Sequence, residues 1–196
     1  MTAWSSGASP GRMTREAFRR WVEAQPNGVR YERIDGKPVA MSPERVVHNR
    51  LKRRAWQLLD RAIADQGLPC EALADGITVE IGEDQDYEPD AVVHCGDVLD
   101  ANATSVSSPI IVVEVLSPGS RSRDTGAKLS DYFTLPSVQH YLIIDPDRPR
   151  IVHHKRGDST DILTRIITAG VIDLSPPGIS LGISDIYQSV GKPGSC

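Results

Sequence analysis

Apolar positions along this chain switch repeatedly between a period near 3.6 and a period of two, which predicts helices interleaved with strands. Residues 14–24 set Phe18, Trp21 and Val22 at helical spacing behind Thr14 in a capping-box-like pattern, and Gln25-Pro26-Asn27-Gly28 stops the helix. Two extended runs in 29–41 flank Asp35-Gly36, a dipeptide that supplies the positive φ angles of a tight hairpin turn. Ser42-Pro43-Glu44 opens a longer helix to about residue 66, with Val47, Leu51, Ala55, Leu58, Leu59, Ala62 and Ile63 as its apolar stripe and Gly67 closing it. Short β-like runs follow at 71–81, 87–95 and 109–116, and the last, rich in β-branched residues, predicts a strand covered on both faces.

Ser117-Pro118-Gly119-Ser120 breaks that strand, and Ser120 or Ser122 can cap a helix to about residue 134, with Leu129, Tyr132 and Phe133 on its apolar side. A strand at 139–145, a turn at 146–149 and an antiparallel pair at 150–155 and 161–168 complete the pattern. The order of elements predicts an α/β or α+β sandwich, a mixed sheet with helices packed on it.

With 196 residues and 39% hydrophobic content, the chain suits one globular domain. That domain is expected over 13–190, between loose ends at 1–12 and 191–196. Apolar stretches such as 110–113 and 141–144 are far shorter than the roughly 20 residues that cross a bilayer. The first ten residues lack the basic segment and apolar core of a secretory signal. Three cysteines without CxxC spacing, Cys70, Cys95 and Cys196, argue against a disulfide framework and a zinc ribbon, so a cytoplasmic setting is expected.

The net charge of -4 does not advertise nucleic-acid binding, yet basic residues gather in two places. Arg45, Arg50, Lys52, Arg53, Arg54 and Arg61 share the long helix, and Arg121, Arg123 and Lys128 follow the 109–116 strand. Each cluster can equally be a solvated helix face.

Two acids stand out against this background. Asp90, after Pro89, and Glu114, in Val112-Val113-Glu114-Val115, fall in segments whose neighbours read as buried. A buried carboxylate needs a cation or hydrogen-bond donors in place of water, and two on neighbouring strands would gather oxygen ligands for a hard divalent cation. The period of two groups Ile110, Val112, Glu114 and Leu116 on one face and Ile111, Val113 and Val115 on the other. Glu88, Asp90, Val92 and His94 likewise share a face, and the 96–108 loop allows antiparallel pairing of the two strands. Taken singly, Glu114 can meet an arginine or solvent, and Asp90 can accept from nearby backbone amides.

These residues carry a family resemblance. Pro89-Asp90, Glu114 at the end of an apolar strand and a following helix with an inward lysine resemble the PD-(D/E)XK nuclease superfamily. Tyr31-Glu32-Arg33-Ile34-Asp35-Gly36, Met41-Ser42-Pro43 with His48, Val113-Glu114-Val115-Leu116-Ser117-Pro118, Asp124 with Lys128-Leu129 and Tyr132, and His140-Tyr141-Leu142-Ile143-Ile144-Asp145-Pro146 resemble successive blocks of the Uma-two family of restriction-type endonucleases.

The resemblance implies a restriction-endonuclease-like core preceded by a helix and a hairpin. It also implies Mg²⁺ or Mn²⁺ held by Asp90 and Glu114, with Glu32 and the Val115 carbonyl as further ligands. Leu116 stands where the superfamily motif has its lysine, so the resemblance moves that role to Lys128. Asp124, Lys128 and Tyr132, at spacings of four, share a helix face. Lys128 could instead pair with Asp124 on the surface, and Glu32 with Lys37 or Arg30 across the hairpin.

Candidate nucleic-acid contacts are His48, Arg50, Arg53, Arg121, Arg123 and Tyr132, although His48 can equally be a packing residue of the helix. His153 and His154 alternate faces on a strand, and Tyr141, Asp145 and Asp147 read as packing and turn residues. The expected activity is metal-dependent hydrolysis of nucleic acid, DNA by preference, by a homodimer that cuts two strands with two sites. The competing readings are a nuclease fold that binds nucleic acid or a partner without cutting, and a hydrolase of small phosphoesters. Alanine at Asp90, Glu114 or Lys128 is expected to abolish cleavage while leaving the chain folded.

Overall fold

The computed structural model describes residues 10–26, 28–117 and 126–188. Helix α1 (Arg15–Glu23) starts where the Thr14 hydroxyl accepts the Ala17 N–H, and it buries Phe18. Strands β1 (Tyr31–Ile34) and β2 (Lys37–Ala40) form the expected hairpin, with Asp35 at φ 51° and Gly36 at φ 72° in its turn. Helix α2 (Val46–Gln66) buries Leu51, Ala55, Leu59 and Ile63, and Gly67 ends it in the left-handed conformation. Arg12, expected in a loose tail, pairs with Asp84.

Two expected strands are each divided. The 71–81 run splits at Gly76 (φ 102°) into β3 (Cys70–Ala74) and β4 (Thr78–Ile81). The 87–95 run splits at Glu88-Pro89-Asp90 into β5 (Gln85–Tyr87) and β6 (Ala91–Cys95). In both places the break lets consecutive segments join different sheets, which a local alternation pattern does not encode.

A six-stranded sheet contains β8 (Pro109–Val115), β9 (His140–Ile144), β10 (Ile151–Arg156) and β11 (Ile162–Ile167), in the order β11-β10-β9-β8-β6-β3. A smaller sheet, β2-β1-β5-β4-β7, includes the short β7 (Ser105–Val106) from the 96–108 loop. As expected, β6 runs antiparallel to β8, while β9 runs parallel to β8 after the crossover through α3 (Ala127–Thr134). The proposed caps Ser120 and Ser122 lie outside the described residues. A hairpin, β12 (Val171–Leu174) and β13 (Ile179–Gly182), and helix α4 (Ile183–Tyr187) follow, elements absent from the sequence-based expectation.

The large sheet is covered on both faces. Ile111, Val113 and Val115 pack with Leu51 and Leu59 of α2 and with Ile172, Leu181 and Ile186 of the C-terminal elements. Val112 and Leu116 pack on the other side with Tyr132 of α3 and with Val79 and Tyr87 of the small sheet. The alternation along β8 is therefore as expected, and it turns Glu114 toward α3 and the small sheet. This is a mixed α+β fold with helices on its sheet, and among the described residues no helix is long and apolar enough to cross a membrane.

The cysteine expectation needs correction. Register places Cys70 opposite Cys95 on β3 and β6, with Cα atoms 4.0 Å apart, and their sulfurs are bonded. A separation of 25 residues carries no sequence signature, because the strand pairing itself creates the bridge. Unreduced, denatured protein should expose one thiol per chain to a thiol reagent and reduced protein three, since Cys196 is the third cysteine. Three thiols without reductant would show the bridge absent. Closing a loop of this length is worth about 3 kcal/mol, so reduction should lower the urea midpoint.

Candidate active site

Elements distant in the chain converge on one cleft. β1 presents Glu32, the turn before β6 presents Asp90, β8 presents Glu114 and α3 presents Lys128. Glu44, just ahead of α2, and His48, in its first turn, line the same cleft. Glu32, Asp90, Glu114 and Lys128 are each at most 8% exposed, so their charges must be matched by one another or by a ligand.

Half of the cleft is a buried cluster around Lys128. Its ammonium donates to Glu114 Oε1 at 2.7 Å and to Glu32 Oε1 at 2.8 Å. The Tyr132 hydroxyl donates to the same Glu114 oxygen at 3.1 Å, and the Glu88 N–H donates to Glu32 Oε1 at 3.2 Å. The Tyr87 ring lies 5.1 Å from the Lys128 nitrogen, a cation–π contact that adds to its fixation. Burial, then the Glu114 charge, raises the Tyr132 pKa well above its usual value, so the hydroxyl remains a donor. Lys128 is buried in the cleft rather than on the surface, and Glu32 has this lysine as a partner, while Asp124 lies outside the described residues.

The other half is built around Asp90. Beyond the end of β6 the Val115 N–H has no strand to pair with, and Asp90 Oδ2 accepts it at 2.6 Å while Asp90 N–H donates to Val113 O at 3.0 Å. The carboxylate thus replaces one rung of the ladder. Burial raises the Asp90 pKa to about 6, against the opposing influence of His48 and the Val115 amide.

His48 Nε2 lies 2.8 Å from Val115 O and 3.5 Å from Asp90 Oδ2. The Val115 carbonyl, expected as a cation ligand, is therefore engaged by His48. Lys52, expected on the solvated face of α2, is buried and binds both Glu44 and Asp75, the latter at 2.9 Å.

The residues fit a divalent cation. One ligand atom each from Glu44, His48 and Asp90 lie within 4.8 Å of one another. His48 Nδ1 is buried without a hydrogen-bond partner, an uncompensated polar atom of the kind a ligand would satisfy.

The expected nucleic-acid contacts separate. Arg53 is exposed and lines a cleft that reaches Asp90. Arg50 is exposed but sits roughly 200° around the helix from His48, away from the cleft. His48 is buried inside the site. Tyr132 is fully buried and so cannot touch a nucleic-acid strand; its hydroxyl instead holds Glu114. Arg121, Arg123 and Asp124 lie outside the described residues. His153 and His154 sit on β10 away from the cleft, and Asp145 accepts from Arg148, Arg150 and the Asp147 amide as a turn residue.

Sequence reasoning passed over Glu44 and Tyr87. The spacing of four that joins Glu44, His48 and Lys52 was the available signal for the first. No local signal points to Tyr87, whose role depends on the packing of α3.

Comparisons with known proteins agree with this architecture. The model of the Uma2 family, described as "Putative restriction endonuclease", matches residues 15–185. Relatives include two uncharacterized proteins of Synechocystis sp. One, slr1290, is 28% identical over 193 residues, covering 97% of this chain and 99% of its own. The other, sll1609, is 29% identical over 140 residues, covering 69% and 78%. The crystal structure of a "putative nuclease belonging to DUF820" from Anabaena variabilis matches with a TM-score of 0.70 at 17% identity, over 87% of this chain and 96% of that one, and shows the same fold.

Proposed function

The chain belongs to the Uma2 family, described as "Putative restriction endonuclease", and we propose that it is a metal-dependent endonuclease that hydrolyses phosphodiester bonds, with DNA as substrate and Mg²⁺ or Mn²⁺ as cofactor. The observation that carries this reading is Lys128, a buried ammonium held by two carboxylates beside a third, Asp90, in a cleft open to solvent. Packing alone gives no reason for such a group, since apolar residues of similar volume are often as stable.

Asp90 and Glu114 would hold the cation with the help of neighbouring groups. A divalent cation supplies Lewis acidity, drawing charge from a phosphate oxygen and making water a better nucleophile at neutral pH. Lys128 brings a fixed ammonium against the negative charge that grows on the phosphorus-bound oxygens, and burial makes that charge act strongly. Glu32 and Tyr132 fix the direction in which Lys128 and Glu114 point. Arg53, and Arg45, which lines the cleft and pairs with Asp147, would hold backbone phosphates, which position a strand without reading its sequence. Cleavage of both strands would use a second copy of the chain.

A supercoiled-plasmid nicking assay tests this reading. Wild-type protein should nick with Mg²⁺ or Mn²⁺ and not in chelator, and Glu114→Gln, which keeps the side-chain volume, should reduce nicking to background. Equal nicking by Glu114→Gln would sink the site assignment. Retained DNA binding without cleavage by the wild type would favour a silent, binding-only nuclease fold.

A further inference from the structure

His48 is the least explained group in the cleft. Its side chain is 8% exposed, and its Nε2 lies 2.8 Å from the Val115 carbonyl oxygen. A carbonyl only accepts, so Nε2 carries a ring proton, and Nδ1 is the ring nitrogen left to offer a lone pair to a ligand. That atom has no hydrogen-bond partner among the described residues, and Glu44 Oε2 lies 3.5 Å from it. A lone pair facing a carboxylate across such a gap is repulsive unless a proton or a metal cation lies between them.

The surroundings suit a metal ion. Nitrogen and oxygen atoms at this separation match adjacent ligands around one ion with bonds of about 2.0–2.2 Å. Ligating histidines commonly donate their other ring N–H to a backbone carbonyl, which is the contact His48 makes with Val115. Lys52 takes the Oε1 atom of Glu44 and leaves Oε2 toward His48. Asp90 completes the group: its Oδ2 lies 3.5 Å from His48 Nε2, and one ligand atom of each of the three residues lies within 4.8 Å of the others. Two carboxylates and a neutral imidazole balance a double positive charge. Glu32, by contrast, spends Oε1 on Lys128 and the Glu88 amide.

We propose that Glu44 and His48, through Nδ1, join Asp90 in binding the cation of this chain, and that Glu32 positions Lys128 rather than binding the ion. The nitrogen ligand makes the site selective for a transition ion such as Mn²⁺ over Mg²⁺, which prefers oxygen ligands and retains its water. This deepens the endonuclease reading above and rests on it for the ion's role, but ion binding is measured without nucleic acid.

The test uses the full chain, stripped by chelator and titrated calorimetrically with MnCl₂ and with MgCl₂. Pulsed electron paramagnetic resonance of the Mn²⁺ form reports directly on a coordinated nitrogen. Wild-type protein should show ¹⁴N coupling to Mn²⁺ and bind Mn²⁺ at least about tenfold more tightly than Mg²⁺. His48→Gln, which retains a donor for the Val115 carbonyl, should lose the coupling and weaken Mn²⁺ binding by about tenfold or more. Glu44→Gln, at a more exposed position, should weaken Mn²⁺ similarly and serves if His48→Gln fails to fold. Glu32→Gln should keep the ¹⁴N coupling and bind Mn²⁺ within about threefold of wild type.

Absent Mn²⁺ binding, absent ¹⁴N coupling, unchanged affinity in the His48 and Glu44 variants, or a loss in Glu32→Gln equal to theirs would each overturn the assignment. A chain that binds Mn²⁺ as described but does not nick plasmid leaves the assignment standing and removes the endonuclease reading alone.

Discussion

Lys128→Ala is expected to lose cleavage and about 3–5 kcal/mol of stability together, because it strips the shared cation from two buried carboxylates. Glu32 and Glu114 are 4% and 5% exposed, and both accept from the Lys128 ammonium. Without it their charges would face each other with little water to separate them. Such a loss is a large part of the roughly 5–15 kcal/mol that keeps a typical domain folded. The sequence-based expectation that alanine here leaves the chain folded is therefore revised by burial.

Urea denaturation of Lys128→Ala measures the loss directly. A second variant separates stability from chemistry: Lys128→Met with Glu32→Gln removes one charge of each sign and fills the space with an apolar stem. It should recover much of the stability and none of the nicking. A Lys128→Ala protein with wild-type urea midpoint and wild-type nicking would show that the buried cluster neither stabilises nor acts.

The second large effect is a loss of stability on mild acidification, traced to His140 and His153. Their rings touch through His140 Nδ1 and His153 Nε2 at 2.9 Å, while His140 Nε2 lies 2.8 Å from Pro176 O. The carbonyl fixes the His140 proton on Nε2, so His140 Nδ1 accepts from His153 Nε2–H. Both rings are neutral in this arrangement, and an added proton on His140 would set donor against donor.

Burial lowers both pKa values from 6.5 to about 4, and for His153 the neighbouring His140 adds to the shift. A depressed folded-state pKa means that the unfolded chain takes up protons first as the pH falls. The pair's contribution is therefore complete above pH 6.5, declines between 6.5 and about 4, and is flat below that range. A shift of this size corresponds to about 3 kcal/mol for the first proton, with less for the second because the rings share one contact. Urea midpoints at pH 7, 5.5 and 4.5 should fall in that order. His153→Gln keeps a donor for His140 but cannot titrate, and it should flatten part of the slope; an unchanged slope in that variant would assign the acid sensitivity to other groups.

Some of the site was readable in one dimension. Glu114 and Leu116 fall on the face of β8 opposite Val113 and Val115 because side chains alternate along any strand. Leu116 stands where the superfamily motif has its lysine, and the ammonium found beside Glu114 is that of Lys128. Other parts had no local signature. Glu88-Pro89-Asp90 read as the inside of a strand but is the crossing from the small sheet to the large one, which is how Asp90 comes to cap the free Val115 amide. Tyr132 read both as part of the apolar side of its helix and as a nucleic-acid contact, and it is core, because that face is closed by Tyr87 and Tyr141.

The sequence by itself determined helices α1, α2 and α3, the Asp35-Gly36 hairpin, the faces of β8 and the candidates Glu32, Asp90, Glu114 and Lys128. Those features depend on neighbours within a few positions, where backbone geometry fixes spacing. Only the tertiary structure decided that Lys128 lies between Glu32 and Glu114, that Asp90 stands with His48 and Glu44, and that Cys70 meets Cys95. Each of those meetings joins separate elements, and the charges among them become consequential only when packing removes the water that would otherwise screen them.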